Sequence, residues 1–106
     1  MLTEKDYCDY ETCVALKELG YPLLSKEVRY EDDAVFVPGV LLYSAQKFLR
    51  EEKKMHIEVS YQPATWTCKI YNLKTYEYIK GYTFFVSYED ALLEGVRETV
   101  KLLKEE

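Results

Sequence analysis

The stretch "LLYSAQKFLREEKKMHIEVSY", Leu41 to Tyr61, changes its apolar period part-way along, and that change decides the fold. In the first half Leu41, Leu42, Ala45, Phe48 and Leu49 recur at the spacing that gathers side chains on one face of a helix. Ser44, Gln46, Lys47, Arg50 and Glu51 fall away from that face, so the pattern predicts a helix over Leu41–Lys53. From His56 the period is two. Ile57, Val59 and Tyr61 alternate with His56, Glu58 and Ser60, as in a half-buried strand. Near the join lie a basic cluster, Arg50, Lys53 and Lys54, and the chain's single histidine, His56. Cationic side chains at a helix end can satisfy its last carbonyls and its dipole without any ligand. The join therefore reads as a corner where a helix hands over to a strand.

Downstream the period of two continues. Gln62-Pro63-Ala64 turns the chain, and Trp66, Cys68 and Ile70 then alternate with Thr65, Thr67, Lys69 and Tyr71. Asn72-Leu73-Lys74-Thr75 makes a second turn. A third strand runs through Tyr76–Ile79 and Tyr82–Phe85, with a bulge or bend predicted at Gly81 between them. The last helix opens at Ser87, with Asp90 three residues on as a capping-box variant. Ala91, Leu92, Gly95, Val96, Thr99 and Leu103 form its apolar face. Glu89 and Asp90 near its start and Lys101 and Lys104 near its end suit the helix dipole.

Upstream, a first helix is predicted from Asp9 or Tyr10 to Leu19, capped by Asp9. Tyr10, Cys13, Val14 and Leu16 are expected to turn inward. Gly20 followed by Tyr21-Pro22 is a helix stop. Val28-Arg29-Tyr30 and Val35-Phe36-Val37 flank the acidic turn Glu31-Asp32-Asp33-Ala34 and predict a short, irregular hairpin that Pro38-Gly39 ends. The fold class is α+β: an N-terminal helix and hairpin (1–40), then a helix, a three-stranded antiparallel meander and a C-terminal helix (41–106). Only one face of the meander is strongly apolar. The second and third helices are expected to cover it and leave the other face open.

With 106 residues, 48% of them hydrophobic and 31% charged, the chain reads as one soluble domain over 1–106. No apolar run reaches the ~20 residues of a membrane span. The start, Met1 to Asp6, lacks the basic-then-apolar order of a signal peptide, so a cytoplasmic protein is expected. Cys8, Cys13 and Cys68 form no C-x-x-C pair and an odd set, which argues for buried thiols rather than disulfides or a zinc site. No metal or cofactor is expected. The net charge of −5 disfavours general affinity for nucleic acid. The charge is uneven, with 7 basic and 4 acidic side chains in residues 41–80 between two acidic ends.

Three ordered motifs, "DYETCVALKELGY" (Asp9–Tyr21), "SAQKFLREEKKMHIEV" (Ser44–Val59) and "SYEDALLEGVRETVKLL" (Ser87–Leu103), resemble a family of small prophage and mobile-element proteins of Bacteroides-type gut bacteria. The resemblance covers nearly the whole chain. It implies a cytosolic accessory protein and carries over no catalytic or binding residue. This chain departs from the family pattern at Lys54-Met55, before His56, where a small, glycine-containing turn is the usual form.

A Cys-His or Ser-His site would have to use His56, yet alternation sets His56 and Cys68 on opposite faces of the sheet. The carboxylates belong to turns, helix starts and outer helix faces, and no glycine loop for phosphate is present. A non-enzymatic interaction module is therefore expected. Its 11 tyrosines support that reading, since tyrosine joins a rigid apolar ring to a polar tip. The candidate partner surface is the open sheet face, Glu58, Thr67, Lys69, Tyr71 and, less centrally, Glu77, meeting another protein or a second copy. The alternative is nucleic-acid binding through Lys47, Arg50, Lys53 and Lys54, because the helix-strand-strand-strand-helix order is that of the double-stranded-RNA-binding domain. Against it, Ser87-Tyr88-Glu89-Asp90 places carboxylates where that domain carries basic residues at the start of its last helix.

Overall fold

The computed structural model describes residues 4–22, 28–31 and 35–105. A 3-10 turn at Glu4–Asp6 precedes α1 (Tyr10–Glu18). The hairpin strands β1 (Val28–Glu31) and β2 (Val35–Pro38) follow, then α2 (Leu42–Glu52), β3 (Met55–Gln62), β4 (Thr65–Asn72), β5 (Glu77–Phe85) and α3 (Tyr88–Lys104). The class is α+β. The hairpin is antiparallel, and β3, β4 and β5 form a separate antiparallel sheet with β4 in the centre. Pro38 is the last residue of β2 rather than a breaker after it. The predicted hairpin turn at Asp32-Asp33-Ala34 lies outside the described residues.

Both α2 and α3 pack on one face of the β3–β5 sheet. That face presents Ile57, Cys68 and Ile70, all fully buried, with Val59, Trp66, Tyr82 and Phe85 around them. Leu42, Ala45 and Leu49 from α2 and Ala91, Leu92, Val96 and Val100 from α3 close the core. Cys8, Cys13, Leu16, Tyr21 and Val40 belong to the same cluster, so α1 and its flanking residues share one core with α2, α3 and the sheet. Glycine in the middle of a helix is unfavourable by roughly 0.5–1 kcal/mol relative to alanine. Gly95 has a reason to stay, because a Cβ there would fall 2.5 Å from Ile57 Cγ2. The missing side chain lets α3 lie directly on β3.

The helices follow sequence logic with two exceptions, both in α1. At Gly20, φ is +103°; its N–H donates to Lys17 O and the Tyr21 N–H to Leu16 O, the paired bonds of a Schellman stop. Ser87 Oγ accepts from the Asp90 N–H at 3.1 Å, so α3 is capped as its sequence predicts. Asp9 sits at the start of α1 but does not cap it with its side chain; its carboxylate accepts from the Thr12 hydroxyl instead. The second exception is the inward face of α1. Thr12, Cys13 and Leu16 are buried, while Tyr10 and Val14 are exposed. A helix of nine residues presents only a narrow stripe to its neighbours, and here the stripe centres on Leu16.

The Leu41–Tyr61 join is a corner: past the C-cap Lys53, the carbonyl of Lys54 accepts from the Leu73 N–H at 2.8 Å. Arg50 pairs with Glu51 at 3.3 Å, and Lys53 Nζ lies 6.0 Å over the Phe48 ring. Lys54 itself has φ of 57°, the left-handed conformation that glycine adopts most easily.

Candidate functional site

The uncovered face of the sheet is set by the pairing register. Ile57 faces Ile70 and Val59 faces Cys68 on the helix-covered side. His56 faces Tyr71, Glu58 faces Lys69 and Ser60 faces Thr67 on the other. Across β4, Tyr71 is opposite Tyr78, and Lys69 is opposite Gly81. All four partner-surface residues read from the sequence, Glu58, Thr67, Lys69 and Tyr71, thus lie together on this face. Glu77 does not, because it pairs with Asn72 and so alternates to the Ile70 side.

The irregularities of β5 lie elsewhere than expected. Gly81 is in register; the extra residues are Ile79, between the Tyr71–Tyr78 and Ile70–Lys80 pairs, and one beside Phe84, whose φ is 70°. Gly81 instead makes room for a neighbour, since a Cβ would lie 2.7 Å from the Tyr78 hydroxyl oxygen. Tyr78 crosses over the glycine and meets the Tyr71 ring edge-on, with centroids 5.6 Å apart. Tyr71 is half-buried by this contact and Tyr78 is 57% exposed. The accessible aromatic of the face is therefore Tyr78, which sequence reasoning missed because the bulge at Ile79 decides its side. Thr67 is only 8% exposed and its hydroxyl hydrogen-bonds the Thr83 hydroxyl at 3.0 Å.

Both edges of the sheet carry local interruptions. On β3, Gln46 Nε2 donates to the Ile57 carbonyl at 2.8 Å. On β5 the two register shifts break the regular row of amide groups that a new strand would need.

Packing accounts for the displaced Cys8 and Cys68 thiols and for Glu98. Hydrogen bonding with Cys13, then burial, holds the Cys8 thiol far above the ordinary thiol range. Burial pushes the Cys68 thiol up to about 11. Such thiols are poor nucleophiles. His56 and Cys68 stand on opposite faces, and His56 Nδ1 is buried with no hydrogen-bond partner. Burial alone would raise the Glu98 carboxyl. The Tyr82 hydroxyl, donating at 2.9 Å, and Lys101, at 3.1 Å, with Lys80 farther off, hold it below the usual carboxylate range. This network ties α3 to β5. Among the described residues, no three His, Cys, Asp or Glu side chains converge as a metal-binding group.

The four residues of the nucleic-acid alternative, Lys47, Arg50, Lys53 and Lys54, all lie along the C-terminal half of α2 and its exit. Lys47 and Lys53 line a cleft of about 700 Å³ between α2 and the Gly20–Pro22 turn, with Tyr43, Phe48, Glu51 and Glu52. The two carboxylates in that lining offset the two lysines. No family model, curated protein or solved structure matches the chain. Among the described residues, no helix is long and apolar enough to cross a membrane.

Proposed function

We propose that the chain is a non-enzymatic protein-interaction module, a cytoplasmic accessory protein of a mobile element, whose open β3–β5 face pairs with the same face of a second copy. The observation that carries this reading is the make-up of that face. Tyr78 stands exposed against Tyr71, beside a row in which Glu58 and Lys69 are direct neighbours. An aromatic anchor in a polar surround is the layout of a modest protein interface. The neighbouring opposite charges make the face self-complementary. A two-fold axis between them sets Glu58 of one copy against Lys69 of the other, and the reverse. That row is neutral in a chain of net charge −5, so copies meet there with less repulsion than elsewhere. The interrupted sheet edges favour association through the face rather than by strand addition. The cytoplasmic setting is supported by three thiols held in the core, and the mobile-element setting by the ordered motif resemblance.

Sedimentation over a range of concentrations tests this reading. A monomer–dimer equilibrium is expected. Tyr78→Ala and Lys69→Glu should each weaken it about tenfold or more, in the range of interface hot spots. Adding Glu58→Lys to Lys69→Glu should restore it. A monomer at every concentration would sink the proposal. Salt-dependent binding of duplex RNA that is lost on replacing Lys47 and Lys53 would favour the nucleic-acid alternative.

A further inference from the structure

A second aromatic surface lies at the other end of the molecule, where the β3–β4 turn meets the start of α3. Trp66 is the centre of a row. Tyr61 meets it edge-on with centroids 5.0 Å apart, and Tyr88 meets it edge-on with centroids 5.6 Å apart. Tyr61 is 62% exposed and Tyr88 40%. Beyond Tyr88 a small cleft of about 150 Å³ opens, floored by Leu42 and Leu92 and bounded on its far side by Tyr43, itself 62% exposed. Asp6 and Glu89 complete the lining, and among the described residues no lysine or arginine contributes to it.

The row is held rigid by the fold. Tyr61 and Trp66 face each other across the β3–β4 hairpin, and the Tyr61 hydroxyl accepts from the Ala64 N–H at 3.2 Å. Pro63 and Ala64, with φ of 70° at Ala64, make that hairpin a fixed two-residue turn. Tyr88 is the first residue of α3, directly after the Ser87 cap. Aromatic rings fixed in this way bind at little cost in side-chain entropy.

We infer that this aromatic end is a docking surface for an extended, proline-rich peptide segment of a partner protein, flanked by arginine or lysine. Rings that meet edge-on leave furrows between them, and pyrrolidine rings of a polyproline II helix fill such furrows. The centroid steps of 5.0 and 5.6 Å are each close to the ~6 Å that two residues of polyproline II advance at about 3.1 Å per residue. The cleft between Tyr88 and Tyr43 receives a further small apolar ring. Charge selects the flank: Glu89 at the rim and the net charge of −5 favour a cationic peptide. The same charges repel a single-stranded nucleic acid, which would otherwise stack on such rings.

Trp66 is the chain's single tryptophan, so the site carries its own reporter. The test is a titration with a synthetic polyproline peptide ending in two arginines, followed by Trp66 fluorescence and calorimetry. Saturable binding is expected. Tyr88→Ala should weaken it about tenfold, as for an interface anchor. Tyr43→Ala, at a peripheral exposed position, should weaken it about threefold without touching the core. Glu89→Gln should reduce the preference for the arginine-ended peptide over plain polyproline, and Tyr78→Ala on the sheet face should leave binding unchanged. Absence of saturable binding by the folded protein would overturn the inference. So would equal binding by the Tyr43→Ala and Tyr88→Ala variants, or tighter binding of a single-stranded oligonucleotide than of the peptide.

Discussion

The two faces of the β3–β4–β5 sheet are made of alternate residues of the same strands, yet they cohere by different forces. The covered face joins Ile57, Val59 and Cys68 to α2 and α3, with Ile70 buried beside Ile57, and its energy comes from apolar area removed from water. The open face is held by lateral pairs, the Thr67–Thr83 hydrogen bond and the Tyr71–Tyr78 ring contact, and sets Glu58 opposite Lys69 in register. Cross-strand pairs of this kind contribute roughly 0.2–1 kcal/mol each, whereas one buried leucine contributes several-fold more. One face therefore fixes the fold, and the other is at liberty to carry specificity for a partner.

The hardest blow to that contrast falls on the covered side. Leu92, 3% exposed, sits in the α3 face that closes the core. Leu92→Ala should cost about 2–5 kcal/mol, the range for a leucine whose removal leaves a cavity. Urea denaturation measures it, and a loss below about 1 kcal/mol would mean that α3 does not hold the sheet as described.

Much of this contrast is legible in the sequence, because period-two alternation assigns each side chain to a face before any partner strand is known. His56, Glu58, Thr67, Lys69 and Tyr71 follow from that rule alone. What escapes it needs a second strand. The extra residues at Ile79 and beside Phe84 exist only relative to β4, so they decide the side of Tyr78 and Glu77 without leaving a mark in β5 itself. Gly81 does leave a mark, but of the wrong kind, since it accommodates Tyr78 and not a bulge. The left-handed backbone at Lys54 is equally silent, because no glycine or asparagine advertises it. The burial of Thr12 in place of Tyr10 depends on how a short helix rolls against α3, which local spacing does not specify.

A second intervention on the covered face tests the closeness of α3 to β3. At Gly95 a new Cβ would meet Ile57 Cγ2 at 2.5 Å. Gly95→Val should therefore destabilise by about 1–3 kcal/mol, the usual cost of overpacking. The sharper measurement is the double variant with Ile57→Ala. Residues in contact are non-additive, so the second change should recover part of what the first one loses. Strict additivity would show that the helix does not rest on Ile57.

The smallest effect belongs to the open face. Thr67 is 8% exposed although no helix covers it, because its neighbours on β3 and β5 flank it and its hydroxyl is paired with Thr83. Thr67→Val keeps the branched shape that strands favour and removes only the hydroxyl. A net hydrogen bond is worth about 0.5–1.5 kcal/mol, and Thr83 is exposed, so water can take over its vacated position. The expected loss is below about 1 kcal/mol, with the coupling to Thr83→Val, taken from a double-mutant cycle, in the ~0.2–1 kcal/mol range of cross-strand pairs. Thermal and urea melts of the four proteins in the cycle, at a concentration where the chain is monomeric, supply the numbers. A loss above about 2 kcal/mol would place Thr67 under a packed layer within the monomer. The face would then be a second core surface, and association through it would require the fold to open first.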